Sequence, residues 1–164
     1  LTRDISELLP ELVPILHGRL ALPRSAGERG GGAQGRPGGD AQRPLAAERR
    51  AVHEGHRLAF HPPCTLQHGQ RVRGVVETSL DALGFDVRIA GNEAHLCCGS
   101  AGTYSVLQPE LATALRDRKL AQLDALAPET IVSANIGCIQ HLQSGTATPV
   151  RHWIEVLDEA LGPG

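Results

Sequence analysis

The chain has 164 residues, enough for one domain, and carries 16 Lys and Arg against 18 Asp and Glu for a net charge of −2. That near-balance excludes a mainly electrostatic grip on nucleic acid or on an anionic membrane. No apolar run approaches the roughly 18 residues needed to span a bilayer.

In the first segment Ile5, Leu8, Leu9, Leu12, Val13 and Leu16 recur at spacings of three and four, which predicts a helix with one apolar face. Asp4 followed by Glu7 is a start signal, and Pro10 and Pro14 are expected to kink or shorten the helix. Residues 1–22 therefore read as a helical lead-in. Residues 23–56 hold eight of the 19 Gly, six Arg and three Pro, with only Leu45 and Val52 as sizeable aliphatics. Such a stretch cannot bury enough apolar surface to offset its ordering entropy, so it is expected to be a flexible loop. It fits a linker better than a basic binding arm, because Gly and acids dilute the arginines; Gly, Arg, Ala and Pro are also what GC-rich DNA yields out of frame.

From residue 57 to 164 the pattern is that of a compact α/β unit. Strands are expected at Arg57–His61, Phe85–Ala90 and Thr130–Ala134, and a last short one from Val150. Helices are expected through Val72, Val75, Val76, Leu80 and Leu83 with Gly84 as C-cap, from Leu107 to Leu126, over Gly137–Ser144, and over Ile154–Leu161. Strand alternating with helix predicts a small, mostly parallel sheet with flanking helices, a Rossmann-like arrangement. Phe60, Phe85, Tyr104 and Trp153 are the only aromatic residues, so the core has to be aliphatic.

The four cysteines carry the chemistry. Cys64 is followed after 32 residues by the adjacent pair Cys97 and Cys98, and after a further 39 by Cys138. Each group trails an expected strand, and in a parallel sheet those strand ends share one edge, where open α/β proteins place their sites. A buried free cysteine is a common small hydrophobe, but that reading leaves unexplained why HPPC, CCGSAG and NIGC all fall at turns. Two metal readings stay open: an iron–sulfur cluster held by thiolates, and zinc held by four dispersed cysteines without the usual Cys-x₂₋₄-Cys knuckle. A thiol–disulfide function for the adjacent pair is weak, since vicinal cysteines close only a strained ring. Gly99 and Gly102 would let backbone N–H groups approach sulfur. Among the eight histidines, His17, His53 and His56 are expected to be solvated; His61 can donate to the site; His141, three residues after Cys138, shares its helix face.

HPPCTLQHGQ at 61–70, CCGSAGTYSVLQPELA at 97–112, NIGCIQHLQSG at 135–145 and PVRHWIEVLDEAL at 149–161 resemble the last cysteine-rich (CCG) domain of glycolate oxidase iron–sulfur subunits. That group is related to the B subunits of heterodisulfide reductase and to the lactate-utilisation iron–sulfur proteins. The resemblance runs from Leu58 to the C-terminus, and TRDISELLPEL at 2–12 resembles the stretch that precedes the domain. It implies an iron–sulfur cluster, of the 4Fe-4S type, ligated by Cys64, Cys97, Cys98 and Cys138. Where the wider family ends in Cys-x-x-Cys this chain has His141, which implies a four-cysteine cluster with His141 nearby or ligating. It implies an electron-transfer role: flavin-containing subunits oxidise glycolate to glyoxylate, and the iron–sulfur subunit passes the electrons toward quinone. The implied setting is cytoplasmic, at most peripheral to the inner membrane, with no nucleic acid as partner. The chain starts at Leu1 and has no Met, so it is expected to be a C-terminal piece, not itself catalytic, whose partner would be the missing N-terminal half of its own subunit.

Overall fold

Leu58, Ala59 and Phe60 are buried on both faces of a central strand, β1 (Arg57–His61), in the computed structural model, which describes residues 4–21 and 55–162. Continuous burial is what a parallel strand covered by helices requires. The expected loop over 23–56 lies outside the described residues except for Gly55 and His56. His56 is not simply solvated: its Nδ1 lies 3.2 Å from Glu129 and its Nε2 3.1 Å from the Thr130 hydroxyl.

The elements follow in chain order. Helix α1 (Ile5–Ala21) precedes β1, and after β1 come α2 (Val75–Ala82), β2 (Asp86–Arg88), the short α3 (Tyr104–Leu107) and α4 (Pro109–Asp124). Then β3 (Thr130–Ser133), α5 (Ile136–Gln143), β4 (Val150–His152) and α6 (Trp153–Leu161) complete the chain. The sheet order is β2-β1-β3-β4, and all three pairings are parallel. Leu58, Phe60 and Val132 face one layer with Val76, Leu80, Trp153 and Leu157; Ala59, Ile131 and Val150 face the other with Leu120, Leu123 and Leu142. The two-residue alternation along each strand thus separates α2 and α6 from α4 and α5.

Several boundaries differ from the sequence reading for local reasons. Helix α1 runs unbroken through Pro10 and Pro14. Both prolines are exposed and four residues apart, so their missing donors fall on one solvent-facing side. Asp4 caps it as expected: its Oδ1 accepts from Ser6 N–H at 2.8 Å, and its own N–H donates to Glu7. The helix expected over 107–126 is two helices, because Pro109 drives Gln108 out of helical geometry (φ −133°, ψ 60°) and then opens α4 itself. Val72 precedes α2 instead of joining it; Gly74, at φ 75°, starts that helix.

Helix α1 packs chiefly on α2 and α6. Leu9 is its buried apolar contact, at 1% exposure, whereas Ile15 is 62% exposed. Leu9→Ala should therefore destabilise the chain by about 2–5 kcal/mol, and Ile15→Ala by no more than about 0.5 kcal/mol. Urea denaturation followed by circular dichroism measures both; equal effects would contradict the docking of α1.

Candidate metal centre

The strand order reverses between β1 and β3: the chain leaves β1 toward β2 and leaves β3 toward β4. Loops leaving the carboxyl ends of such a pair part and open a crevice. His61 closes β1 there, paired in register with Ser133, whose hydroxyl donates to the His61 carbonyl at 2.8 Å.

Pro62 and Pro63 end the strand, since neither can donate to a ladder. The Pro63 carbonyl accepts from the N–H groups of Leu66 and Gln67, and Gln67 Nε2 donates to the Pro62 carbonyl at 2.7 Å. This folds residues 65–69 into a single π-helical turn with Cys64 at its head. The paired cysteines lie in the loop between β2 and α3. Gly99 follows at φ 95°, and a β-carbon there would sit 2.4 Å from the Ala112 carbonyl oxygen of α4. Only glycine meets both demands, and its N–H donates to Cys97 Sγ at 3.3 Å. Cys138 lies in the first turn of α5, where Asn135 Oδ1 accepts from Gly137 N–H at 2.9 Å and Cys138 N–H at 3.2 Å. The Ser100 hydroxyl, next to the glycine turn, donates to Cys138 Sγ at 3.8 Å.

The three segments converge. A ring nitrogen of His61 and the sulfurs of Cys98 and Cys138 all lie within 4.8 Å of one another, and all three residues are buried. Cys64 and Cys97 are within hydrogen-bonding reach of each other, and Cys98 acts on Cys64 electrostatically. All four cysteines are free thiols. Burial, and then the neighbouring Cys97, push the Cys64 thiol up to about 11. Cys98 and Cys138 compete for one proton: Cys138 holds Cys98 well below the usual thiol range, and Cys98 drives Cys138 above it. Four thiolates cannot coexist here without a cation.

His61 adds a second sign of a cation. It is 1% exposed, its ring nitrogens make no close hydrogen bond, and it helps hold the neighbouring Cys98 in its charged form. An imidazole buried beside two thiols is a donor set that a thiophilic metal accepts. His141 is placed differently. Its Nε2 donates to the Ala112 carbonyl at 3.1 Å, tying α5 to α4, and it is not among the three residues that cluster.

Lys119, on α4, escaped the sequence reading. It is 3% exposed, and its ammonium donates to the carbonyls of Glu93 at 2.6 Å and Ala94 at 3.4 Å, in the loop leading to the cysteine pair. Burial lowers its pKa, and the Cys98 sulfur, the Glu93 carboxylate and the sulfurs of Cys64 and Cys97 oppose that shift. Its signal was present: a lone lysine stands at helical spacing between Ala112 and Leu123, both buried. Around the crevice Val106 and Leu107 of α3, Leu111 of α4 and Ile136 of α5 are exposed apolar side chains. No helix among the described residues is long and apolar enough to cross a membrane.

A parallel α/β sheet whose strand ends gather one cysteine, a Cys-Cys-Gly turn and a further cysteine defines a cysteine-rich domain. The chain belongs to the family of the cysteine-rich domain, CCG, whose sequence model matches residues 58–143. It is 52% identical over 114 residues to the glycolate oxidase iron-sulfur subunit of Escherichia coli K12, covering 70% of this chain and 28% of that protein. It is 33% identical to the probable glycolate oxidase iron-sulfur subunit of Bacillus subtilis 168, covering 64% and 27%. Lactate utilization protein A of Anoxybacillus flavithermus is 28% identical, covering 62% and 45%. The chain thus spans less than half the length of each of these relatives.

Gly99→Ala should cost about 1–3 kcal/mol, since it meets both positive φ and the Ala112 carbonyl. Gly102→Ala, at φ 50° in open space, should cost about 1 kcal/mol or less. Chemical denaturation compares them, and a Gly99 variant no worse than the Gly102 variant would refute the close approach.

Proposed function

We propose that this chain is part of an iron–sulfur electron-transfer subunit, and that Cys64, Cys97, Cys98 and Cys138 are the ligands of one cluster of the 4Fe-4S type. The observation that carries the reading is the buried cluster of Cys98, Cys138 and His61 within 4.8 Å of one another, with the half-buried Cys64 and Cys97 acting on the same sulfurs electrostatically. A cluster bound there would supply a one-electron redox centre. The chain's own groups hold it and tune it: Gly99 N–H and the Ser100 hydroxyl donate to sulfur, and Asn135 fixes the turn that carries Cys138. His141 then braces α5 against α4 rather than ligating.

In this reading the chain serves a glycolate-oxidising complex, cytoplasmic or peripheral to the inner membrane. A flavin-containing subunit removes electrons from glycolate, and the iron–sulfur subunit relays them toward quinone. The support is the likeness to the two glycolate oxidase subunits. The exposed rim of Val106, Leu107, Leu111 and Ile136 is the surface on which a redox partner would dock. The chain is a carrier, so glycolate oxidation by it alone is expected to be absent.

One observation favours a second reading. His61, Cys98 and Cys138 within 4.8 Å are a donor set that zinc accepts. The two readings separate on colour and metal content. Anaerobic reconstitution should give a brown protein with iron and sulfide whose visible absorption dithionite bleaches. Cys98→Ser should then lose most of the bound iron, because a neutral hydroxyl replaces a thiolate poorly. A colourless protein with stoichiometric zinc would replace the cluster reading with a structural zinc site.

A further inference from the structure

We infer that the Lys119 ammonium is the buried counter-charge of the cysteine site and raises the reduction potential of the centre held there. The inference rests on the cluster reading above and assigns a tuning residue to it. Lys119 lines the same small cleft as Cys97, together with Glu93, Leu96, Leu115, Arg118 and Gln122. Its hydrogen-bond partners are two neutral carbonyls, so nothing in direct contact cancels its charge. The nearest carboxylate is engaged elsewhere: Glu93 is gripped by Arg118, through Nε at 2.8 Å and through Nη2, and by Gln122. Among the described residues no ion pair includes Lys119. A charge buried without a counter-ion is strongly disfavoured. The negative groups acting on it in the cleft are the Cys98 sulfur first, then the Glu93 carboxylate, which Arg118 already neutralises, and the sulfurs of Cys64 and Cys97.

The geometry around it is costly as well. Glu93 sits at φ 54°, a left-handed conformation that a glutamate adopts rarely. Arg118, Lys119 and Gln122, three residues of α4, hold it there. Lys119 is therefore set in place by a braced loop, and its charge stays at a fixed distance from the site. Reduction by one electron from an external donor adds one negative charge to that site without making or breaking a bond. A fixed ammonium in a dry surrounding favours the more negative state, so the potential rises.

The test is an EPR-monitored redox titration of the reconstituted full chain, comparing wild type with K119Q, K119M and K119R. Lys119→Gln keeps a donor for the carbonyls and removes the charge; Lys119→Arg keeps both. Lys119→Met keeps the apolar stem and avoids burying a new polar group. Both neutral variants should titrate at more negative potential, enough to change the oxidised-to-reduced ratio about tenfold at a given ambient potential, about 59 mV for one electron. K119R should titrate with wild type. If neither neutral variant retains iron while K119R does and titrates with wild type, charge is the property required and the inference holds. Unchanged potentials in iron-replete K119Q and K119M overturn it, as does loss of iron from all three variants, which would mark a strut for the loop. Wild-type protein that takes up no iron and sulfide defeats the cluster reading itself, a separate result read before any variant is titrated.

Discussion

The approach of Gly99 to the carbonyl of Ala112 fixes where the paired cysteines stand. There is no room for a β-carbon between the Cys-Cys-Gly turn and α4, so the loop is pressed against the helix backbone. The same carbonyl receives His141 from α5, and α5 carries Cys138 in its first turn. Ser100 closes the arrangement by donating to Cys138. One backbone oxygen therefore registers two of the three cysteine-bearing segments. The third, headed by Cys64, is set by β1 and by the prolines that stop it.

Crowding four thiols has an electrostatic consequence that spreads beyond the crevice. Desolvation and mutual repulsion oppose ionising them together, and the opposed shifts of Cys98 and Cys138 are the sign of that conflict. A bound cation resolves it within the site, and a buried lysine eases it from outside. Lys119 has little reason to be interior in a purely structural helix, because an aliphatic residue there would avoid the desolvation penalty. Its burial becomes intelligible once the Cys98 sulfur counts as its partner alongside Glu93 and the two carbonyls it donates to.

The site lies at the sheet edge where β1 and β3 send their chains in opposite directions, and exposed apolar residues flank it. That combination suits a centre that exchanges electrons with another protein: a dry interior for the redox group, and a surface on which a partner can exclude water. The relatives of this chain are longer than the region they share with it.

The sequence by itself determined the alternation of strands and helices, the left-handed glycine at Gly84 just past the Leu83 C-cap of α2, Pro109 at the start of α4, and the placing of every cysteine after a strand. These are legible because local periodicity and turn chemistry act over a few residues. It also carried the family resemblance, since the cysteine segments are contiguous strings. It expected Pro10 and Pro14 to kink or shorten α1, and the helix spans both, with the prolines on the exposed side. It singled out His141 and gave His61 as a donor to the site, because sequence spacing shows that two residues share a helix face and not what that face meets. Only the tertiary structure decided that the face of His141 meets Ala112, that His61 is buried within 4.8 Å of Cys98 and Cys138, and that Lys119 is interior. Each of those depends on packing between elements far apart in the chain, where burial and charge are set by neighbours that no local pattern names.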